Sequence, residues 1–421
     1  MKTFIGFSEA LELTLANVDV GPTEILPLSR LTGRILAENI TSLVDCPSIS
    51  SSRKDGYAVH SLDLVGASKE NPVILKVIGT LVAGETSEVK IRKGQTVRIT
   101  TGAPLPEGAD AVLSEEFCHQ TEDKIIAYNT ADSGRNVHAR GKDISRAETV
   151  AVTNQKLVPA LIGLLAASGL DSAPVYKSPK VAVIATGDEV LLPGAPMSKG
   201  KLYASNMVEI CAWLSILGLQ YTAELVPDRR EKIKKAITKH FSEVDVFLTS
   251  GGAWGSERDL IIDVAKSLQW QGIYHRVRMG PGKPVAFGLL DQKPFFCLPG
   301  GPPSNEMAFI QLAMPALLKM KGESPVVFPL TSARLSETVV GKKDWTDFVH
   351  ARIDKRNDQL FVYPARLKSG LQSMARKEAL IIIPEGREDL RCGETIDIQL
   401  LVPMALRIQR DLTLKGSPLR P

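Results

Sequence analysis

Between residues 178 and 324 short apolar runs alternate with stretches in which apolar positions recur every three or four residues. That pattern marks strands alternating with helices. Val181–Ala185, Tyr221–Val226 and Val244–Leu248 read as strands, and Asn206–Leu217, Glu231–Phe241 and Leu260–Leu268 as helices. Ile273–Val277, Val285–Leu289 and Pro294–Leu298 follow as short strands, with Ser304–Met320 as a long helix. Such alternation predicts a mainly parallel sheet covered on both faces, a three-layer α/β domain.

The flanks have a different texture. Ser8 is placed to cap a helix whose apolar positions are Ala10, Leu11, Leu13 and Leu15, and Leu28–Asn39 reads as a second helix with Leu31, Ile35 and Leu36 inward. Residues 46–147 are rich in glycine, proline and short β-favouring runs (Pro72–Ile78, Gln95–Ile99, Ala109–Leu113), as in an inserted β domain. Leu157–Leu170 is apolar nearly all round, which predicts a buried helix. After Pro325 only strand patterns return: Val326–Leu330, Phe348–Ile353, Leu360–Val362, Ala379–Ile383 and Thr395–Leu400. The expected fold is multidomain α/β and β. A helical N-terminal segment (1–45 with 148–177) carries the β insertion (46–147), then come the α/β domain (178–324), a C-terminal β domain (325–405) and a tail (406–421).

Composition narrows the function classes. The 421 residues carry a net charge of +4 and only 5% aromatics, which argues against nucleic-acid binding while leaving room for a local basic pocket. Five scattered cysteines without a CxxC pair suggest reduced thiols in a cytoplasmic protein. No stretch has the apolar length of a membrane span, and the start does not read as a secretory signal. Six histidines without ligand spacing argue against a zinc enzyme, and no Ser/His/Asp or Cys/His set is evident. Cys297 lies in an apolar run and reads as a core thiol.

Ligands of open parallel sheets bind beyond the carboxyl ends of the strands. The residues that follow the expected strands there are Thr186-Gly187-Asp188-Glu189, Pro227-Asp228, Thr249-Ser250-Gly251-Gly252 with Asp259 further on, and Pro299-Gly300-Gly301-Pro302. Gly280-Pro281-Gly282-Lys283-Pro284 sits between two more. Glycine-rich turns and a lysine suit a phosphorylated ligand, and carboxylates suit Mg²⁺ bound with substrate phosphates. Neither GxxxxGK[ST] nor GxGxxG is present, so a generic nucleotide-binding enzyme lacks its fingerprint.

The linear order of these pieces resembles the MoeA and gephyrin E-domain family of molybdopterin molybdotransferases, over about residues 5–405. The matching segments include Asp55-Gly56-Tyr57-Ala58-Val59, Ala83-Gly84-Glu85, Thr101–Asp110, Gly134-Arg135-Asn136-Val137 and Gly141-Lys142-Asp143. Thr186–Glu189, Ser250–Gly252, Pro281–Pro284 and Leu298–Gly300 continue the series. The resemblance implies insertion of molybdate into adenylylated molybdopterin with release of AMP, assisted by Mg²⁺. It implies that Thr186, Gly187, Asp188, Ser250, Gly251, Gly252, Pro299, Gly300 and Gly301 bind the pterin nucleotide. Glu189, Asp228 and Asp259 would hold the metal, with Lys283 facing the anions. Asp55, Thr101 and Asp143 would reach the pocket of a partner subunit, making the active unit a homodimer supplied by a molybdopterin adenylyltransferase, with no nucleic acid and no membrane involved. The pattern departs at Lys54, at Gly280 where a lysine is usual, at Gly301, at Ala253–Ser256, and at His350 where an arginine is usual. Lys54, Arg258 and Arg278 are candidates to restore the lost charge. The alternatives are a non-catalytic pterin-binding or scaffold protein, or the same chemistry with tungstate.

Overall fold

The computed structural model describes residues 1–85, 88–251 and 260–401. Two compact units emerge, one formed by Met1–Thr23 with the chain from Tyr176 onward, the other by Glu24–Val175.

The larger unit begins with β1 (Lys2–Gly6) and α1 (Phe7–Ala16), and resumes with β2 (Val181–Thr186), α2 (Ser205–Ile216), β3 (Tyr221–Val226), α3 (Arg230–His240) and β4 (Val246–Ser250). Next come α4 (Leu260–Ser267), β5 (Gln271–Gly280), β6 (Ala286–Leu290) and β7 (Lys293–Leu298). The helix that follows is α5 (Pro302–Ala308), a π-helical turn Phe309–Ala313 and α6 (Met314–Met320). Strands pair in the order β3-β2-β4-β7-β6-β5, parallel from β3 through β7 and antiparallel at β6, with β1 parallel to β5. Alternation along β2 builds the layers. Val181, Val183 and Ala185 pack with α2 and the 302–320 helix, while Ala182 and Ile184 pack with α3 and α4.

The C-terminal part contains β8 (Leu330–Leu335), β9 (Thr346–Arg356), β10 (Gln359–Pro364), α7 (Gly370–Arg376), β11 (Ala379–Ile383) and β12 (Thr395–Leu400). Pairing runs β9-β10-β8-β12-β11 and returns to β9, so these five strands close into a barrel around Leu335, Ala351, Val362, Ile381 and Ile398. Among the described residues its strands meet the larger sheet at a parallel step, Met279 beside Thr346 and Gly280 beside Asp347.

In the smaller unit a six-stranded sheet orders Ala111–Ser114, Gly56–Val59, Gln95–Ile99, Val73–Leu81, Lys124–Ala127 and Cys118–Gln120, with apolar clusters on both faces. A third cluster gathers Leu26, Leu31, Leu36, Leu161, Leu165 and Val175.

Several local expectations are corrected. Ser8 is not a cap: α1 starts at Phe7 after Gly6, and the Phe7 N–H donates to Glu385 Oε1 at 3.1 Å. Leu28–Asn39 holds only a 3₁₀ turn, Leu28–Arg30, because Ile35 and Leu36 are taken up by bridges to Lys156 and Val175; Leu31, Ile35 and Leu36 are nonetheless buried. The Leu157–Leu170 helix is shorter, Pro159–Ala167, and buries Leu161 and Leu165 while Leu164 and Ala166 stay exposed in this unit. The strand expected at Val326–Leu330 forms instead at Leu330–Leu335, where β12 supplies a partner. The strand expected at Val244–Leu248 is shifted to Val246–Ser250. Helix α7 interrupts a region read as strands alone. No disulfide joins any of the five cysteines, and Cys297 is fully buried. Among the described residues no helix is long and apolar enough to cross a membrane.

Candidate functional site

The parallel strands end in step. Thr186 of β2 lies beside Val226 of β3, Ala185 beside Ser250 of β4, and Ser250 beside Leu298 of β7. The turns Gly187–Glu189, Pro227–Asp228, Gly251 and Pro299–Gly301 therefore emerge along one rim. A cleft of about 460 Å³ opens there, lined by Thr186, Glu189, Asn206, Ser250, Gly251 and Gly300 among others.

Hydrogen bonds fix this rim. Ser250 Oγ accepts from Asn206 Nδ2 at 3.3 Å and from Asn305 Nδ2 at 3.0 Å. The same amides donate to Gly300 O at 2.8 Å and Pro299 O at 2.7 Å, so two asparagines tie the β4 turn to the β7 turn. With both amides donating to it, and no acceptor for it among the described residues, the Ser250 hydroxyl has its own proton to offer a ligand. Gly251 has φ 112°, and a Cβ there would meet Thr186 O at 2.6 Å, so only glycine lets the backbone pass this close. Asn206 and Asn305 escaped the sequence reading. Each is a polar residue in the first turn of a helix, the only local signal available.

Carboxylates gather at the other end of the rim. The Asp228 N–H donates to Asp188 Oδ1 at 3.2 Å. Burial pushes the Asp228 carboxyl above its ordinary range, and the nearby Glu189 and Asp188 charges act in the same direction against the Thr186 hydroxyl. Asp188, Glu189 and Asp228 thus form an under-compensated negative group, a setting suited to a cation. Gly252 and Asp259 lie outside the described residues. Among the described residues no three His, Cys, Asp or Glu side chains converge as a complete metal site. Two carboxylates plus ligand oxygens are nonetheless an ordinary donor set for Mg²⁺.

Lys283 does not line this cleft. It borders a neighbouring cavity of about 510 Å³ with Arg276, Lys342, Trp345 and Ser304, and among the described residues no carboxylate lines that cavity. Lys342 Nζ sits 4.2 Å and Lys283 Nζ 5.6 Å from the Trp345 ring centre, held by cation–π attraction. Arg276 and Lys342 went unnoticed in the sequence because nothing local marks them. Gly280 is accounted for sterically. A Cβ on it would lie 2.0 Å from Asp347 Oδ1, and the other oxygen of Asp347 accepts from Lys342 N at 2.7 Å. Arg278 does not stand in for the missing lysine, since its guanidinium donates to Asp344 O at 2.9 Å and Phe4 O at 3.0 Å. His350 lines neither cavity; its Nε2 lies 3.3 Å from Glu306 Oε2 in the interior. Arg258 lies outside the described residues.

Within the smaller unit, Asp55 Oδ1 accepts from the Thr101 N–H at 2.7 Å and the Thr101 hydroxyl at 2.9 Å, and these bonds, the backbone one foremost, lower its pKa. Asp143 Oδ1 lies 3.0 Å from His138 Nε2. Asp110, in the same motif as Thr101, is structural: its carboxylate accepts from the Ser61 N–H and hydroxyl at 2.7 and 2.6 Å. Lys54 belongs to this unit, where its N–H donates to Ser52 Oγ at 3.2 Å.

Comparison with known proteins places these features. Residues 5–169 match the model of the MoeA N-terminal region (domains I and II), 182–319 that of a probable molybdopterin-binding domain, and 332–401 that of the MoeA C-terminal region (domain IV). The molybdopterin molybdenumtransferase of Staphylococcus aureus is 30% identical over 403 residues, covering 94% of this chain and 95% of that protein. That of Staphylococcus epidermidis is 31% identical over 403 residues, covering 95% and 96%. The crystal structure of the MoeA molybdopterin biosynthesis protein from Pyrococcus horikosii superposes with a TM-score of 0.85 at 32% identity, covering 95% of this chain and all of that one. With its strand-end cleft, its terminal barrel and relatives that match along nearly its whole length, the chain belongs to the MoeA family of molybdopterin molybdenumtransferases.

Proposed function

We propose that the chain acts in molybdenum cofactor biosynthesis as a molybdenumtransferase, inserting molybdate into adenylylated molybdopterin and releasing AMP. The observation that carries this reading is a strand-end cleft lined by Glu189, Ser250, Gly251 and Gly300, with Asp188 and Asp228 grouped beside Glu189 on the same rim. A cation-lined cavity in the same unit supports it. Mg²⁺ would be held by Glu189 and Asp228, with Asp259 as a third candidate, and would offset the negative charge that collects when a phosphoanhydride meets an oxyanion.

The chain's own groups do the rest. The Ser250 hydroxyl and the backbone N–H groups of the glycine turns hold phosphate oxygens. Lys283, with Arg276 and Lys342 around Trp345, supplies positive charge for the oxyanion before and during transfer. We further propose a homodimer in which Asp55, Thr101 and Asp143 of one copy meet the cleft of the other. Exposed apolar side chains in the smaller unit support association: Leu43, Val44, Val158 and Leu164 all face solvent. A molybdopterin adenylyltransferase would supply the substrate.

Purified protein given adenylylated molybdopterin, molybdate and Mg²⁺ should release AMP. Glu189→Ala and Asp228→Ala should suppress release while pterin binding persists. Persistent binding without any release by the wild-type chain would favour the non-catalytic, scaffold reading, and release with tungstate but not molybdate would reassign the oxyanion.

A further inference from the structure

Helix α7 belongs to the C-terminal barrel, yet it is fastened at both ends to α5, whose first residue, Pro302, lines the cleft. At its start, a Cβ on Gly370 would fall 2.8 Å from Pro303 Cγ, so the two helices meet with no side chain between them. Just past its end, Lys377 Nζ donates to Met374 O at 3.0 Å and pairs with the carboxylate of Glu306, a residue of α5 that is 2% exposed. His350 of β9 approaches the second oxygen of that carboxylate. A pinned helix presents its exposed side chains in fixed places.

One of those side chains is Leu371, 52% exposed and part of the cleft lining. Met197, Leu202 and Tyr203 line the same cleft and are likewise left to solvent. They stand on the loop after β2, which is itself braced. Leu202 N donates to Glu189 O at 2.8 Å, Lys201 Nζ to Asp188 O at 2.5 Å, and the Tyr203 hydroxyl to Ala195 O at 2.9 Å. Large apolar groups held at a polar rim form the kind of wall that takes a flat ring. A polar edge is present as well. The amide nitrogen of Asn206 is committed to Ser250 and Gly300, which fixes the orientation of the amide and of its acceptor oxygen Oδ1. Among the described residues no group donates to that buried oxygen.

We infer that α7 is a wall of the substrate cleft: Leu371, with Met197 and Tyr203, packs on a planar amino-heterocycle whose N–H edge donates to Asn206 Oδ1. The inference rests on the functional reading above and adds to it the barrel's part in choosing the ring. Pterin and adenine both carry an exocyclic amine on a flat ring, so the chemistry is shared and the ligand arms separate the two.

The test is calorimetric titration of the full chain and of Leu371→Asp and Leu371→Met with AMP and, separately, with a phosphorylated pterin. Leu371 is half in solvent, so both variants should melt with the wild type. Leu371→Asp should weaken binding about tenfold or more for the ring that occupies the cleft, with Leu371→Met close to wild type. In turnover the same variant should raise KM with kcat little changed. If the wild type binds a ligand and Leu371→Asp binds both ligands within about twofold of it, the inference is overturned. If the wild-type chain binds neither ligand, the functional reading fails, and this inference falls with it.

Discussion

Glu209, on α2, shows how much a single buried proton can control. Burial, and then its contact with Glu306, pushes its pKa up to about 8, while Glu306 itself, facing His350, Lys377 and Glu209, is held low by those partners. Between the ordinary carboxyl range and pH 8 the folded chain therefore keeps a proton that the unfolded chain has released. Stability should fall as pH rises through that window. Melting temperature should drop from about pH 6 to pH 9, and Glu209→Gln, which donates to Glu306 at any pH, should flatten the slope. Gly280 makes a second case. Restoring the family's usual lysine there would drive its Cβ into Asp347, so Gly280→Lys should cost about 1–3 kcal/mol in denaturant unfolding. At this scale the turn residues were legible because glycine, proline and acidic residues at strand ends advertise themselves. Asn206, Arg276, Lys342 and Leu371 were not, because each owes its place to a partner far along the chain.

Elements were legible where the apolar rhythm was long and locally sufficient. Tyr221–Val226, Ala379–Ile383 and Thr395–Leu400 form as the alternation predicts, and the helices of the α/β part shift by only a residue or two. Leu28–Asn39 failed for the opposite reason. Its apolar spacing fits a helix, but the backbone of Ile35 and Leu36 bonds to segments more than a hundred residues away, which no local window reveals. The Pro159–Ala167 helix is instructive too. Its apolar surround predicts burial on every side, yet its smaller unit covers only the Leu161–Leu165 side. That leaves Leu164 exposed near Leu43 and Val44, whose segment meets the helix end through the Leu43 N–H bond to Ser168 O. Leu164→Glu should shift a dimer toward monomer in sedimentation velocity while leaving the monomer's fold intact.

At the scale of the whole molecule, the barrel and the α/β strands of the larger unit share one short backbone pairing among the described residues. That pairing sets Met279 and Gly280 beside Thr346 and Asp347, immediately before the turn that carries Lys283, while Lys377 and Gln399 hold the barrel to the 302–320 helix elsewhere. Because the pairing sits directly before the Lys283 turn, a displacement of the barrel at this seam would be passed to the cationic loop. Amide protons on both sides of the seam should exchange with solvent in concert, and a change that loosens the barrel there should also weaken the oxyanion binding proposed for Lys283.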